Sequence, residues 1–137
     1  MTRVTDRIEL VRRGTESFNR REFEESLGIL GVDPSFEWDT TMAVPDGRVY
    51  RGIAEIEAYW SDVLSRWHEF RIEPEEFHEG EDAVVMLASL HGRGAESGVP
   101  IVAPWHQVWR FRGETPSRCE NYGDRDEALR AAGIDDG

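Results

Sequence analysis

Three residues of this chain carry polar groups that could address a ligand: Gln107, Asn121 and Asp39. Gln107 stands within Ile101 to Phe111, reading IVAPWHQVWRF. That run is rich in aromatic and β-branched residues and is closed by Gly113, which predicts a strand. Alternation then puts Trp105, Gln107, Trp109 and Phe111 on one face, and His106, Val108 and Arg110 on the other. A face with three large aromatics and one amide looks inward. Gln107 therefore either satisfies a local partner or contacts a ligand. The same parity on a last strand, Ser117 to Tyr122, turns Cys119 and Asn121 inward and Glu120 and Tyr122 outward. Asp39 closes a short strand that starts at Phe36 and is the one carboxylate near this set. Two amides and a carboxylate can orient a ligand carbonyl or hydroxyl, but neither amide titrates near neutrality. This is a binding constellation more than an acid–base one.

Other chemistries lack their residues. No HxxxH, HxH or Cys–His cluster occurs, so no metal site is expected. No Gly-rich phosphate loop is present, and no cofactor is implied. Cys119 is the only cysteine and has no base near it in sequence, which speaks against a nucleophile and excludes an internal disulfide. A formal charge of -12 argues against a nucleic-acid partner, because phosphate binding needs clustered cations. All 16 basic residues are arginine, which reads as the genome composition of a GC-rich bacterium. The N-terminus has no long apolar run, so neither a signal peptide nor a membrane span is expected and the cytoplasm is the default location.

The elements that must position these residues follow from periodicity. With 137 residues, the chain reads as one domain, 1–137. A helix is expected from Thr5, as its cap, to Phe18, and a second from Glu22 that ends near Gly31. Thr40 to Arg51 reads as a loop with a Pro45-Asp46-Gly47 turn, long enough to suggest a lid or a mouth. Gly52 opens a third helix whose stripe runs Ile53, Ile56, Trp60, Val63, Leu64, Trp67. Tyr59 is adjacent to Trp60, so Trp60 is the better pocket candidate. Strands follow from Phe70, with Pro74 marking an edge or a bulge, and then from Ala83 to Arg93. On the latter, Met86, Ala88 and Leu90 share one face, and Val85, Leu87, Ser89 and His91 the other. A short helix, Asp126 to Ala132, ends the chain. Helices at one end and consecutive strands at the other predict an α+β fold, a curved antiparallel sheet wrapped over three N-terminal helices.

Several stretches then resemble the nuclear transport factor 2-like superfamily, in its SnoaL-like and ketosteroid-isomerase-like branches. They are Phe18-Asn19-Arg20-Arg21-Glu22-Phe23, Phe36-Glu37-Trp38, Tyr50-Arg51-Gly52, Val108-Trp109-Arg110-Phe111-Arg112-Gly113 and Tyr122-Gly123-Asp124. The resemblance implies a cone-shaped barrel with a pocket, often a homodimer through the outer sheet face. It does not fix an activity, because one fold hosts many functions. In the ketosteroid-isomerase-like branch Asp39 lies near the place of the catalytic base. Gly14 then stands where that branch has a tyrosine donor, and Gln107 where it has a protonated aspartic acid. One donor is thus absent and the other is an amide, which argues against that chemistry. The epoxide-hydrolase branch needs an Asp–Arg–Asp group, and no inward arginine is evident.

The expected function is binding of a small, largely apolar molecule in an aromatic-lined pocket, without a complete recognised catalytic set. The alternative is a small-molecule isomerase, cyclase or hydrolase with Asp39 as base. Trp38, Trp60, Met86, Leu90, Trp105, Gln107, Trp109 and Asn121 are the expected ligand contacts, each also readable as core. Outward Val85, Leu87 and Val108, with His106, are too apolar a set for a wet face, which predicts a homodimer there.

Overall fold

A computed structural model describes residues 3–134, with side chains from residue 7 onward. The chain runs α1 (Arg3–Asn19), α2 (Phe23–Leu30), β1 (Glu37–Met42), β2 (Val49–Arg51), α3 (Ile53–Leu64), β3 (Trp67–Glu79), β4 (Ala83–Gly94), β5 (Pro100–Pro104), β6 (His106–Arg112), β7 (Thr115–Tyr122) and α4 (Arg125–Ala131). The strands form one sheet in the order β2-β1-β7-β6-β4-β3, with β5 paired to β4. The α+β architecture over three N-terminal helices is the expected one. It departs in one pairing, since β1 joins β7 in parallel, and the sheet path is open and not closed into a barrel. α1 starts before Thr5, which therefore lies inside the helix; its side chain is outside the described residues.

Side-chain period decides the layers. The face expected inward on β4 and β6 joins one core, with Val84, Met86, Ala88, Leu90, Trp109 and Phe111 packed on Val11, Leu27, Leu30, Ile56 and Trp60 of the helices. Gly14 is small because Leu30 fills its side-chain space: a Cβ there would come within 2.7 Å of the leucine. Asn19 ends α1 by acting as a short strand, its Nδ2 donating to Ile72 O and its Oδ1 accepting from Ile72 N, both at 2.9 Å. That pair fixes the helix end against β3. Pro74 is both things its sequence suggested, on an edge strand and beside a bulge between Pro74 and Glu76.

The opposite sheet face is covered by the chain itself. α4 lays Ala128 and Leu129 on Ala83, Val85, Leu87, Val108 and Tyr122, and Asp124 caps its start by accepting from Glu127 N at 3.0 Å. Val85 and Val108 are 0% exposed, Leu87 2% and His106 6%. The dimer surface expected at these four residues is therefore corrected. The apolar character of Val85, Leu87 and Val108 is used up against α4, a helix too short for its packing face to be read from the sequence.

Two local readings also change. The Thr40 to Arg51 stretch is not a free loop but a hairpin, β1 to β2. Thr40 Oγ1 accepts from Arg48 N at 3.0 Å across it, and Gly47 is required because a Cβ would stand 2.1 Å from Thr40 O. The Ile101 to Phe111 run is two strands broken at Trp105, where β4 changes partner from β6 to β5.

Candidate functional site: an aromatic cavity with an amide relay

Between the sheet and the helices lies a cavity of about 440 Å³, within the size of small-molecule sites, about 300–1,000 Å³. Trp38 of β1, Trp60 of α3, Leu90 of β4, and Trp105, Gln107 and Trp109 around β6 all line it. The indoles meet edge to face: Trp38 to Trp60 at 5.0 Å and 83°, Trp38 to Trp109 at 5.9 Å and 75°.

Gln107 and Asn121 sit at the centre of a relay whose direction is fixed by chemistry. An indole N–H can only donate. Trp109 Nε1 donates to Gln107 Oε1 at 3.0 Å, and Trp105 Nε1 donates to Asn121 Oδ1 at 3.0 Å. Both amide oxygens are thereby placed. Gln107 Nε2 must then be the donor to Asn121 Oδ1, at 3.0 Å, and Asn121 Nδ2 the donor to Asp39 O, at 2.9 Å. Every oxygen in the relay is bonded, while Gln107 Nε2 spends one hydrogen of its two. Trp60 Nε1 is a further buried donor with no partner in the protein.

Asn121, Met86 and Asp39 are not among the lining residues. Asn121, 1% exposed, stands behind Gln107 and Trp105 and ties β6 to β1. Met86 is fully buried, its sulfur contacted by Thr15 Oγ1 at 3.7 Å. Asp39 reaches the relay only through its backbone. Its Oδ1 accepts from Thr41 N at 2.8 Å and Thr41 Oγ1 at 2.6 Å, and its Oδ2 pairs with Arg118.

Arg118 is the hub of an ion network that joins the parallel strands β1 and β7. It bonds Glu37, Asp39 and, through Nε at 3.1 Å, Glu120; Arg51 holds Glu37 at 2.7 Å and Arg110 holds Glu120 at 3.1 Å. The Arg51 hydrogen bond, with the Arg118 charge beside it, holds the Glu37 carboxyl below the usual carboxylate range. A carboxyl shifted down in the folded state stabilises it fully above the unfolded pKa, and that contribution is lost as pH falls through the folded one. Arg118→Met is therefore expected to cost about 1–2 kcal/mol at neutral pH, and less at pH 3, in urea titrations at both values. An equal cost at the two pH values would rule out this coupling.

The mouth holds residues that sequence reasoning missed. Tyr59 and Trp60, adjacent in α3, both line the cavity, and Tyr59 stacks on Tyr50 at 4.0 Å and 23°. Tyr59 and Asp62 of α3, with Arg66 in the turn after it, join Val63 of the expected stripe on that wall, and their i, i+3, i+7 spacing was there to be found. Burial, with Tyr50 and Asp46 nearby, pushes the Tyr59 phenol up to about 12, so it stays neutral. Val44, Asp46 and Tyr50 come from the β1–β2 hairpin, which forms part of the rim. Trp67, expected on the α3 stripe, opens β3 instead and still lines the cavity. The charged lining residues, Asp46, Asp62 and Arg66, are all exposed at the rim, and Arg66 pairs with Asp62 at 2.8 Å. Cys119 is fully buried and its thiol is pushed well up by that burial. Among the described residues no group of His, Cys, Asp and Glu could hold a metal ion, and no helix is long and apolar enough to cross a membrane.

No curated protein is significantly similar to this chain. Solved structures are similar in fold. An NTF2-like protein of unknown function from Burkholderia pseudomallei is 24% identical, with 96% of this chain and 98% of that one covered and a TM-score of 0.75. TerC, co-crystallised with polyporic acid, is 23% identical over 92% and 96% of the two chains, TM-score 0.73. A protein of ketosteroid-isomerase-like fold from Catenulispora acidiphila, in complex with trimethylamine, is 16% identical over 93% and 94%, TM-score 0.72. Residues 11–115, which run from the middle of α1 to the start of β7, match the SnoaL-like domain, and the chain belongs to that family.

Proposed function

We propose that this protein binds a small, neutral, largely apolar molecule bearing a hydrogen-bond acceptor, and that it does so without catalysing a reaction on it. The observation that carries the reading is the donor that the protein leaves over on the wall, Gln107 Nε2 with one hydrogen unspent. A buried donor left unpaired costs about 1–3 kcal/mol, so a ligand that brings an acceptor relieves that cost. Neutrality follows from the lining, where charge is confined to the rim. Neighbours of the same fold with polyporic acid or trimethylamine support a small-molecule role for such a cavity. What counts against Asp39 as a base is where its carboxylate is held, by Thr41 and Arg118. The expected contacts Trp38, Trp60, Leu90, Trp105, Gln107 and Trp109 belong to the first layer in this reading, Asn121 and Met86 to the layer behind. A cytoplasmic setting belongs to it as well, supported by the unpaired Cys119.

Native mass spectrometry of protein purified from its own host tests the reading, with a retained neutral small molecule as the expected result. Nile red, a neutral ring system with a carbonyl, is the surrogate ligand for the recombinant protein. Gln107→Leu should keep the fold and weaken Nile red binding about tenfold. A protein that retains nothing and takes up no Nile red would overturn the proposal.

A further inference from the structure

Where β4 passes from β6 to β5, the backbone ladder has a gap, and a side chain fills it. Trp105 N donates to Ala88 O at 3.0 Å, but Ala88 N has no carbonyl opposite and donates to His106 Nδ1 at 3.1 Å. A backbone N–H can only donate, so Nδ1 carries the lone pair and the ring is neutral, with its hydrogen on Nε2. His106 is 6% exposed, and its chain neighbours are the cavity residues Trp105 and Gln107. The imidazole is thus the acceptor that fastens the bend carrying both onto β4.

We propose that His106 is a positioning residue for the cavity and that protonation of its imidazole, by removing the acceptor for Ala88 N, lowers ligand affinity in mild acid. The inference rests on the binding function argued above. Protonation leaves Ala88 N–H facing a second donor in a buried place, and the bend must open to relieve it. Trp105 and Gln107, bonded to each other through Asn121 Oδ1, shift together. The charged groups around the ring are Glu75 from the β3 bulge and Asp124 and Arg125 at the start of α4; its partner across β7 is Tyr122, whose phenol burial pushes up to about 12. Glu75 and Asp124 favour the imidazolium and Arg125 opposes it. Burial outweighs them and holds the pKa below the ordinary histidine value, so the ring titrates in acid, not at neutrality.

Nile red titrations from pH 7.5 to 5.0 test this with two variants. In His106→Asn the amide oxygen supplies an acceptor in place of Nδ1 but does not titrate; His106→Leu has no acceptor. The wild-type protein should lose affinity toward the acid end of the range. His106→Leu should bind weakly throughout, and His106→Asn should recover binding relative to it with a flat pH profile. A His106→Asn protein with the wild-type pH profile would overturn the proposal. Absence of Nile red binding by the wild type at pH 7.5 would instead count against the binding function. The hinge is then read from the Ala88 amide and Trp105 indole resonances. Movement with pH in the wild type and not in His106→Asn supports it, and identical behaviour in both overturns it.

Discussion

Asn121→Leu is expected to destabilise the fold by about 3 kcal/mol or more, and to lower its melting temperature by roughly 10 °C. Leucine has nearly the same shape, so packing is little changed at a position that is 1% exposed. What disappears is one acceptor and one donor that together serve three groups. Trp105 Nε1 and Gln107 Nε2 both lose Asn121 Oδ1, and Asp39 O loses Asn121 Nδ2. The two side-chain donors are left without an acceptor, while Asp39 still belongs to the β1–β7 ladder. Each orphaned group costs about 1 kcal/mol or more in a place closed to water. Urea denaturation followed by tryptophan fluorescence reads the loss directly. A cost under about 1 kcal/mol would mean that the indoles find other acceptors, and the relay would not be the device that joins β6 to β1.

Trp60→Ala should cost about 3–5 kcal/mol and enlarge the cavity. Trp60 is 3% exposed and lies between Phe18 at 5.0 Å, Trp38 at 5.0 Å and Phe23 at 5.6 Å. It is one of the places where the helices and the sheet meet, so its removal opens a void between the two layers. A finer comparison separates packing from hydrogen bonding. Trp60→Phe keeps a ring and removes an N–H that bonds nothing in the protein, so it should cost less than about 1.5 kcal/mol. Trp109→Phe removes the donor to Gln107 Oε1 and frees that amide to turn. It should be the more costly of the two in thermal melts, and the reverse order would sink the assignment of the relay.

The order of helices and strands was legible, apart from β2 and the split between β5 and β6, because it depends on period alone. Alternation over Trp105 to Phe111 and over Met86 to Leu90 assigned each side chain its face before any partner was known, and the core has those residues together. The break at Trp105 was not legible. It depends on β4 changing partner there, a pairing between segments far apart in sequence. Tyr59 was discounted because adjacent helical residues diverge, but about 100° of divergence still leaves both on the wall of a wide cavity.

By itself, then, the sequence determined the period of each element, the inward set of indoles and amides, and the family to which the arrangement is similar. Only the tertiary structure decided what those groups bond. Asp39 is held by Arg118 across 79 residues, and the apolar outer face is covered by α4. The physical reason is that backbone period is set by neighbours in the chain, whereas a hydrogen-bond or packing partner is chosen only when distant strands register. Which donor is left over for a ligand is therefore known only after every other pair has been made.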